Sequence, residues 1–100
     1  MLDETDFHRR ADTMLAAILD QLEPRYEAGA LEELELQGGI LTLRTDAGRC
    51  FVISKHAPSR QLWLASPFSG GLHFTADATG QWQLADGTEL KALLLKELTQ

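Results

Sequence analysis

The stretch that decides the fold is RQLWLASPFSGGLHF, residues 60–74. Leu62 and Leu64 recur at the two-residue period of a β-strand, so if both point into a core, Trp63 between them points away from it. The tract SPFSGG, residues 66–71, makes a turn, and Leu72 and Phe74 restart the alternation around His73. Strands joined by so short a turn are antiparallel, because a parallel pair needs a crossover of about a dozen residues or more. The pairing leaves a large apolar side chain on the side of the sheet away from the core. Either something covers that face, or the indole waits for a partner.

Outward from this hairpin the same period continues. In EELELQGGILTLRTDAGRCFVISK, residues 32–55, Leu34 and Leu36 alternate with glutamates, and Leu41 and Leu43 alternate with Thr42 and Arg44. Two strands meeting at Gly38-Gly39 fit, since paired glycines tolerate the positive φ of a tight hairpin turn. A third strand runs from about Cys50 to Lys55, and Pro58 and Ser59 separate it from QLWLAS. After LHFTA, the turn DATG leads to a last strand in QWQLA, residues 81–85. Helical spacing takes over at both ends. Phe7, Ala11, Met14, Leu15, Ile18 and Leu22 form one apolar stripe, with Asp3 or Thr5 as N-cap and Pro24 predicting a stop near Leu22 or Glu23. Leu90, Leu93, Leu94 and Leu98 form the other, preceded by Asp86 and Glu89 in capping-box spacing.

Two striped helices and a one-sided sheet close a core most simply as an α+β two-layer sandwich, with both helices on one face of an antiparallel sheet of about six strands. Residues 1–100 are expected to form one domain, because a chain of 100 residues is too short for two independent cores. Under this layout Leu34, Leu36, Leu41, Leu43, Leu62, Leu64, Leu72, Phe74, Trp82 and Leu84 face the helices. Gln37, Thr42, Arg44, Gln61, Trp63, His73 and Gln83 face water.

The composition, 44% hydrophobic and 24% charged, is that of an ordinary globular protein. No apolar run reaches the roughly 20 residues of a membrane-spanning helix, and the acidic start MLDETDFHRR is unlike a secretory or mitochondrial presequence, so a cytoplasmic protein without membrane contact is expected. A single cysteine, Cys50, excludes an internal disulfide and a thiolate zinc site, and is expected to be a partly buried thiol. The net charge of −6 is unevenly spread: residues 1–37 hold ten acids against three bases, and residues 38–100 hold five acids against six bases. An acidic first third disfavours nucleic acid as a partner and favours cations or a basic protein surface. Within it, Asp12, Asp20, Glu23 and Glu27 lie off the apolar stripe or just past the helix, and Glu33 and Glu35 project from one side of the next strand. Their oxygens suit hard or borderline cations, and the bland alternative is a solvated acidic face.

At this point the residues carry a resemblance. QLWLASPFSGGLHF is similar to the signature strand and turn of the frataxins, in which a Gln-hydrophobic-Trp-Leu tract leads into a Ser/Gly-rich turn. DFHRRADTMLAAILDQLE resembles the first helix of the bacterial, CyaY-type members, LQGGILTL their first hairpin, and TELKALLLKEL stands where they have the second helix. The resemblance covers nearly the whole chain, in order.

It implies a frataxin fold and a regulator of iron-sulfur cluster assembly that binds ferrous or ferric iron weakly and exchangeably, and delivers it in one version of the role. Metal ligands would come from Asp12, Asp20, Glu23, Glu27, Glu33 and Glu35. A cysteine desulfurase would dock on Asp20, Glu23, Glu33 and Glu35. The scaffold protein of that machinery would meet the sheet at Gln61, Trp63 and His73. The expected state is a monomer, with oligomerisation on iron loading as the alternative.

Leu19 and Pro24 stand where family members often have acids, which lowers the expected iron capacity. A short tail after the second helix predicts a less covered groove between the helices and modest stability. Two other functional readings remain open: an iron-independent acidic adaptor, and, ranked lower, a ferroxidase, for which the sequence offers no paired His/Glu ligand motif. The expectation is therefore a binding protein and not an enzyme.

Overall fold

The computed structural model describes residues 2–100. Helix α1 (Glu4–Glu27) is followed by strands β1 (Leu31–Gln37), β2 (Ile40–Thr45), β3 (Cys50–His56), β4 (Gln61–Ser66), β5 (Gly70–Ala76) and β6 (Trp82–Gln83), then helix α2 (Leu90–Leu98). The six strands form one antiparallel sheet in sequence order, so β1 and β6 are its edges. Both helices pack on one face, giving the two-layer sandwich that the alternation predicts.

The core is continuous across the two layers. Phe7, Ala11, Leu15, Ile18 and Leu22 of α1 and Leu90 and Leu94 of α2 meet Leu41, Leu43, Phe51, Ile53, Leu62, Leu64, Phe74 and Trp82 from the sheet, all buried. Leu34 and Leu36 point to the same side but are only half-buried, because β1 is an edge strand. The β1–β2 hairpin has positive φ at both Gly38 and Gly39, as a tight primed turn requires. Gly39 is further constrained: a Cβ there would lie 2.5 Å from Cε of Lys55.

Three local expectations are corrected. Helix α1 does not stop before Pro24 but runs one turn beyond it, to Glu27. The missing N–H of Pro24 would have bonded the carbonyl of Asp20, which sits at an exposed position where water can serve it. The extra turn is held by Ala28 N–H to Pro24 O (3.0 Å) and Ala30 N–H to Arg25 O (2.9 Å), and Leu19 and Tyr26 line a groove with Leu34 and Leu36 of β1. At α2 the cap is Glu89 itself, whose carboxylate accepts from the backbone of Lys91 (3.0 Å) and Ala92 (3.1 Å), while Asp86 turns to the N–H of Thr88 at 2.9 Å. Cys50 is exposed, not partly buried, because it lies on the open face opposite Arg44.

Helix α2 also buries a polar group that its apolar stripe did not announce. Glu97 is 4% exposed, and its carboxyl group accepts hydroxyl protons from Ser66 (2.5 Å) and from Ser69. Ser66 in turn accepts from the N–H groups of Phe68 and Ser69, both at 3.0 Å. The β4–β5 turn is thus tied to the end of α2 by side chains that satisfy one another.

Candidate functional site

The acidic residues of α1 and β1 do not form one uniform ridge. Glu23 and Glu27, one helical turn apart, share with Glu35 a groove of about 500 Å³ floored by Leu19, Tyr26, Leu34 and Leu36. Tyr26 is 48% exposed. Asp20 lies one turn before Glu23 and two before Glu27 on the same side of α1 and is exposed. These four carboxylates make no ion pair within 4.0 Å among the described residues. An incoming cation or basic side chain is therefore the first opposite charge they meet.

The other two predicted ligands are already engaged. Asp12 holds Nζ of Lys55 at 2.8 Å, an ion pair that joins α1 to β3 on the helix side of the sheet. Glu33 shares Arg44 with Glu32, at 3.9 and 3.4 Å, beside the β-bulge at Leu31–Glu33. The alternation along β1 could not reveal these partners, since Lys55 and Arg44 come from other strands.

As a cation site the groove offers oxygen donors only, on flexible and hydrated side chains. Among the described residues no three His, Cys, Asp or Glu side chains converge closely enough to enclose a metal ion. This donor set fits a hard or borderline cation that keeps most of its water and exchanges readily. His8 contributes nothing to it: its ring lies 3.8 Å from Glu4 and tilts against Phe7, several turns from Glu23.

On the open face the sheet brings Gln61, Trp63 and His73 together as predicted. Cross-strand register aligns Ile40, Ser54, Trp63 and His73 in one row, and His56, Gln61, Thr75 and Gln83 in the next. Trp63 lies on this face, yet it is half-buried and not laid bare to water. The ring of His56 stacks on one side of the indole, with centroids 3.7 Å apart and planes 14° from parallel. His73 stacks on the other, at 4.2 Å and 12°. The indole N–H donates to Oε1 of Gln61 at 3.0 Å. What covers the tryptophan is thus a pair of imidazoles. His56 was missed because it sits at the end of its strand beside the Pro58 turn; extending the alternation of Val52 and Ser54 by one step puts it on this face.

The order of elements, the acidic groove and the Trp63 face can be set beside known proteins. The family model of the Frataxin-like domain matches residues 1–100. The chain belongs to the frataxin family. Among relatives, the mitochondrial frataxin homolog of Saccharomyces cerevisiae is 39% identical over 95 residues, covering 92% of this chain but only 54% of that protein, so the chain spans about half of that relative's length. The iron-sulfur cluster assembly protein CyaY of Vibrio cholerae is 38% identical over 97 residues, covering 96% of this chain and 88% of the relative. Among solved structures, trimeric yeast frataxin complexed with ferrous iron superimposes with a TM-score of 0.79 at 38% identity, over 90% of this chain and 82% of that one. Frataxin from Psychromonas ingrahamii shares the fold, with a TM-score of 0.79 at 23% identity over 93% of this chain and 85% of that one. The two-helix, six-strand sandwich is the frataxin fold, and no helix among the described residues is long and apolar enough to cross a membrane.

Proposed function

We propose that this frataxin acts in iron-sulfur cluster assembly as an iron-responsive regulator, binding iron weakly on its acidic groove and docking there on a cysteine desulfurase. The observation that carries this reading is the convergence of Glu23, Glu27 and Glu35 on one groove with an apolar floor, next to Asp20 and, among the described residues, without a paired cation. Free carboxylates attract both a hydrated cation and a basic protein surface, and the floor of Leu19 and Tyr26 gives a protein partner apolar area that a metal ion does not use. Iron and desulfurase then compete for the same groups, so iron occupancy tunes docking. The scaffold protein is assigned to the opposite side, at Gln61, Trp63 and His73. The chain itself is read as a cytoplasmic monomer and as a binding protein with no turnover of its own.

Backbone amide NMR tests this. Anaerobic ferrous iron and the desulfurase, titrated separately, are expected to shift amides around Asp20, Glu23, Glu27 and Glu35, with each ligand reducing the effect of the other. Iron-dependent oxygen consumption would instead assign an enzyme. A second reading, an adaptor that binds no iron, draws on a specific observation: Asp12 and Glu33 are neutralised and, among the described residues, no three ligating side chains enclose a site. Shifts with desulfurase alone would establish it.

A further inference from the structure

We propose that the His56–Trp63–His73 stack is a proton-operated control on docking at the open face of the sheet, a reading that rests on the scaffold-docking role given to that face above. The hydrogen-bond chain beneath the stack fixes where protons sit. An indole N–H can only donate, so the Gln61 atom 3.0 Å from it is the carbonyl oxygen. That oxygen can only accept, so Ser59, 2.9 Å away, spends its hydroxyl proton on it. The Ser59 oxygen therefore accepts from His56, whose Nδ1 lies 2.7 Å away. Neutral His56 thus carries its proton on Nδ1, and its second proton goes to Nε2. Gln61 completes the chain by donating from Nε2 to Thr75 at 3.4 Å.

Few charges oppose or assist this titration. Asp77, just after β5, lines a shallow depression with Gln61, His73, Thr75 and Gln83. Its carboxyl is held below the usual aspartate value of 3.8, first by the Thr79 hydroxyl and then by the Gln81 N–H, so it stays ionised while imidazoles titrate. Arg60, just before β4, is turned to the carbonyl of Ala57, and Lys55 lies on the helix side with Asp12. In the row of Trp63 the neighbour from β2 is Ile40 and from β3 Ser54, and in the row of His56 and Gln61 the neighbour from β6 is Gln83.

Histidine changes charge between about pH 5 and 8. At the upper end of that range the stack is an uncharged aromatic ridge suited to apolar contact. At the lower end each imidazolium lies against a face of the indole, an attractive cation–π arrangement, and the ridge carries positive charge. A partner that packs apolar groups on Trp63 must then desolvate those charges or pull the rings apart. Docking weakens as pH falls, and by linkage partner binding expels protons from the stack.

The experiment has two arms. In the isolated chain, the Trp63 indole N–H and the imidazole C–H resonances are followed from pH 8 to 5. The indole signal is expected to move in step with both imidazoles, to lose one step in His56→Gln and in His73→Gln, and to stay flat in the double variant. The buried Trp82 indole serves as the still reference. An indole signal that ignores the imidazoles, or titrates unchanged in the double variant, overturns the proposal. In the second arm, the Kd for the purified scaffold protein is measured at pH 7.5 and 5.5. It is expected to rise about tenfold for the parent and to lose that rise in the double variant. An equal rise in both chains overturns the proton control while leaving the docking face intact. Binding unaffected by Trp63→Ala overturns the docking reading itself, and this control with it.

Discussion

At the scale of single residues, what matters is which charged and aromatic groups are free. Asp12 shows how a plausible ligand is withdrawn: Lys55, 19% exposed, reaches it from β3. Lys55→Gln is expected to cost only about 1 kcal/mol of stability, as befits a partly exposed pair, and to bring the Asp12 amide into the set shifted by ferrous iron in an NMR titration. Trp63 is the residue whose truncation weighs most on the sheet side. Trp63→Ala should weaken scaffold binding by about 2 kcal/mol or more, read by calorimetry, with little change in fold because the indole is outside the core. Asp77 and Asp86 give the acid limb of the stability profile. Hydroxyl and N–H donors, chiefly the side chains of Thr79 and Thr88, hold both carboxyls below the usual 3.8. A folded-state value below the unfolded one means stability present above about pH 4 and lost as pH falls through the folded value. Asp77→Asn, which can keep the turn, is expected to flatten that loss in denaturant midpoints measured from pH 5 to 2.5.

At the scale of elements, tertiary packing overrides local preference in identifiable places. Pro24 carries the helix-interior penalty, and the turn it begins is closed by Ala28 N–H to Pro24 O and Ala30 N–H to Arg25 O, on a helix whose Leu22 is buried in the core with Leu19 packed against it. Pro24→Ala is expected to raise stability by about 2 kcal/mol, the helix-interior penalty of about 3 kcal/mol less the chain entropy that proline removes from the unfolded state. Glu97→Ala should lower it by about 1–3 kcal/mol, since two hydroxyls lose their buried acceptor, and should loosen the β4–β5 turn in hydrogen exchange. These elements also mark how far the sequence could be read. Period-two leucines, the Gly38-Gly39 turn and the two apolar stripes are repeated local signals, and they give the strands, helices and core face. The end of α1, the Glu89 cap, the Glu97 latch and the partners of Asp12 and Glu33 each depend on a residue distant in sequence or on a choice between two adjacent caps. Gln61, Trp63 and His73 were legible as neighbours because β4 and β5 form a hairpin; His56 needed the β3–β4 register.

At the scale of the whole molecule, the two candidate surfaces sit on different sides of the sandwich and differ in kind. The first 37 residues carry the excess of acids, and among the described residues Asp20, Glu23, Glu27 and Glu35 make no ion pair, the last three lining one groove. The Trp63 face is built from amides, hydroxyls and stacked rings. Binding at the groove should therefore weaken severalfold as salt is raised past the concentration at which the screening length reaches about 8 Å, whereas binding at Trp63 should respond little. Replacing Glu23, Glu27 and Glu35 by glutamine should remove most of the salt slope for the desulfurase and leave the scaffold Kd within about twofold.

Strand β1 ends the sheet, and among the described residues no further strand is hydrogen-bonded to its outer side. Such a border is a template on which a second copy can build, and here Glu32, Glu33 and Glu35 stand along it, with Arg44 of β2 offsetting only part of their charge. Repulsion between two such borders opposes their pairing, so these acids also act as a fence against self-templating. Where those acids are protonated or masked by bound cations the fence comes down, and light scattering should register growth at the β1 margin.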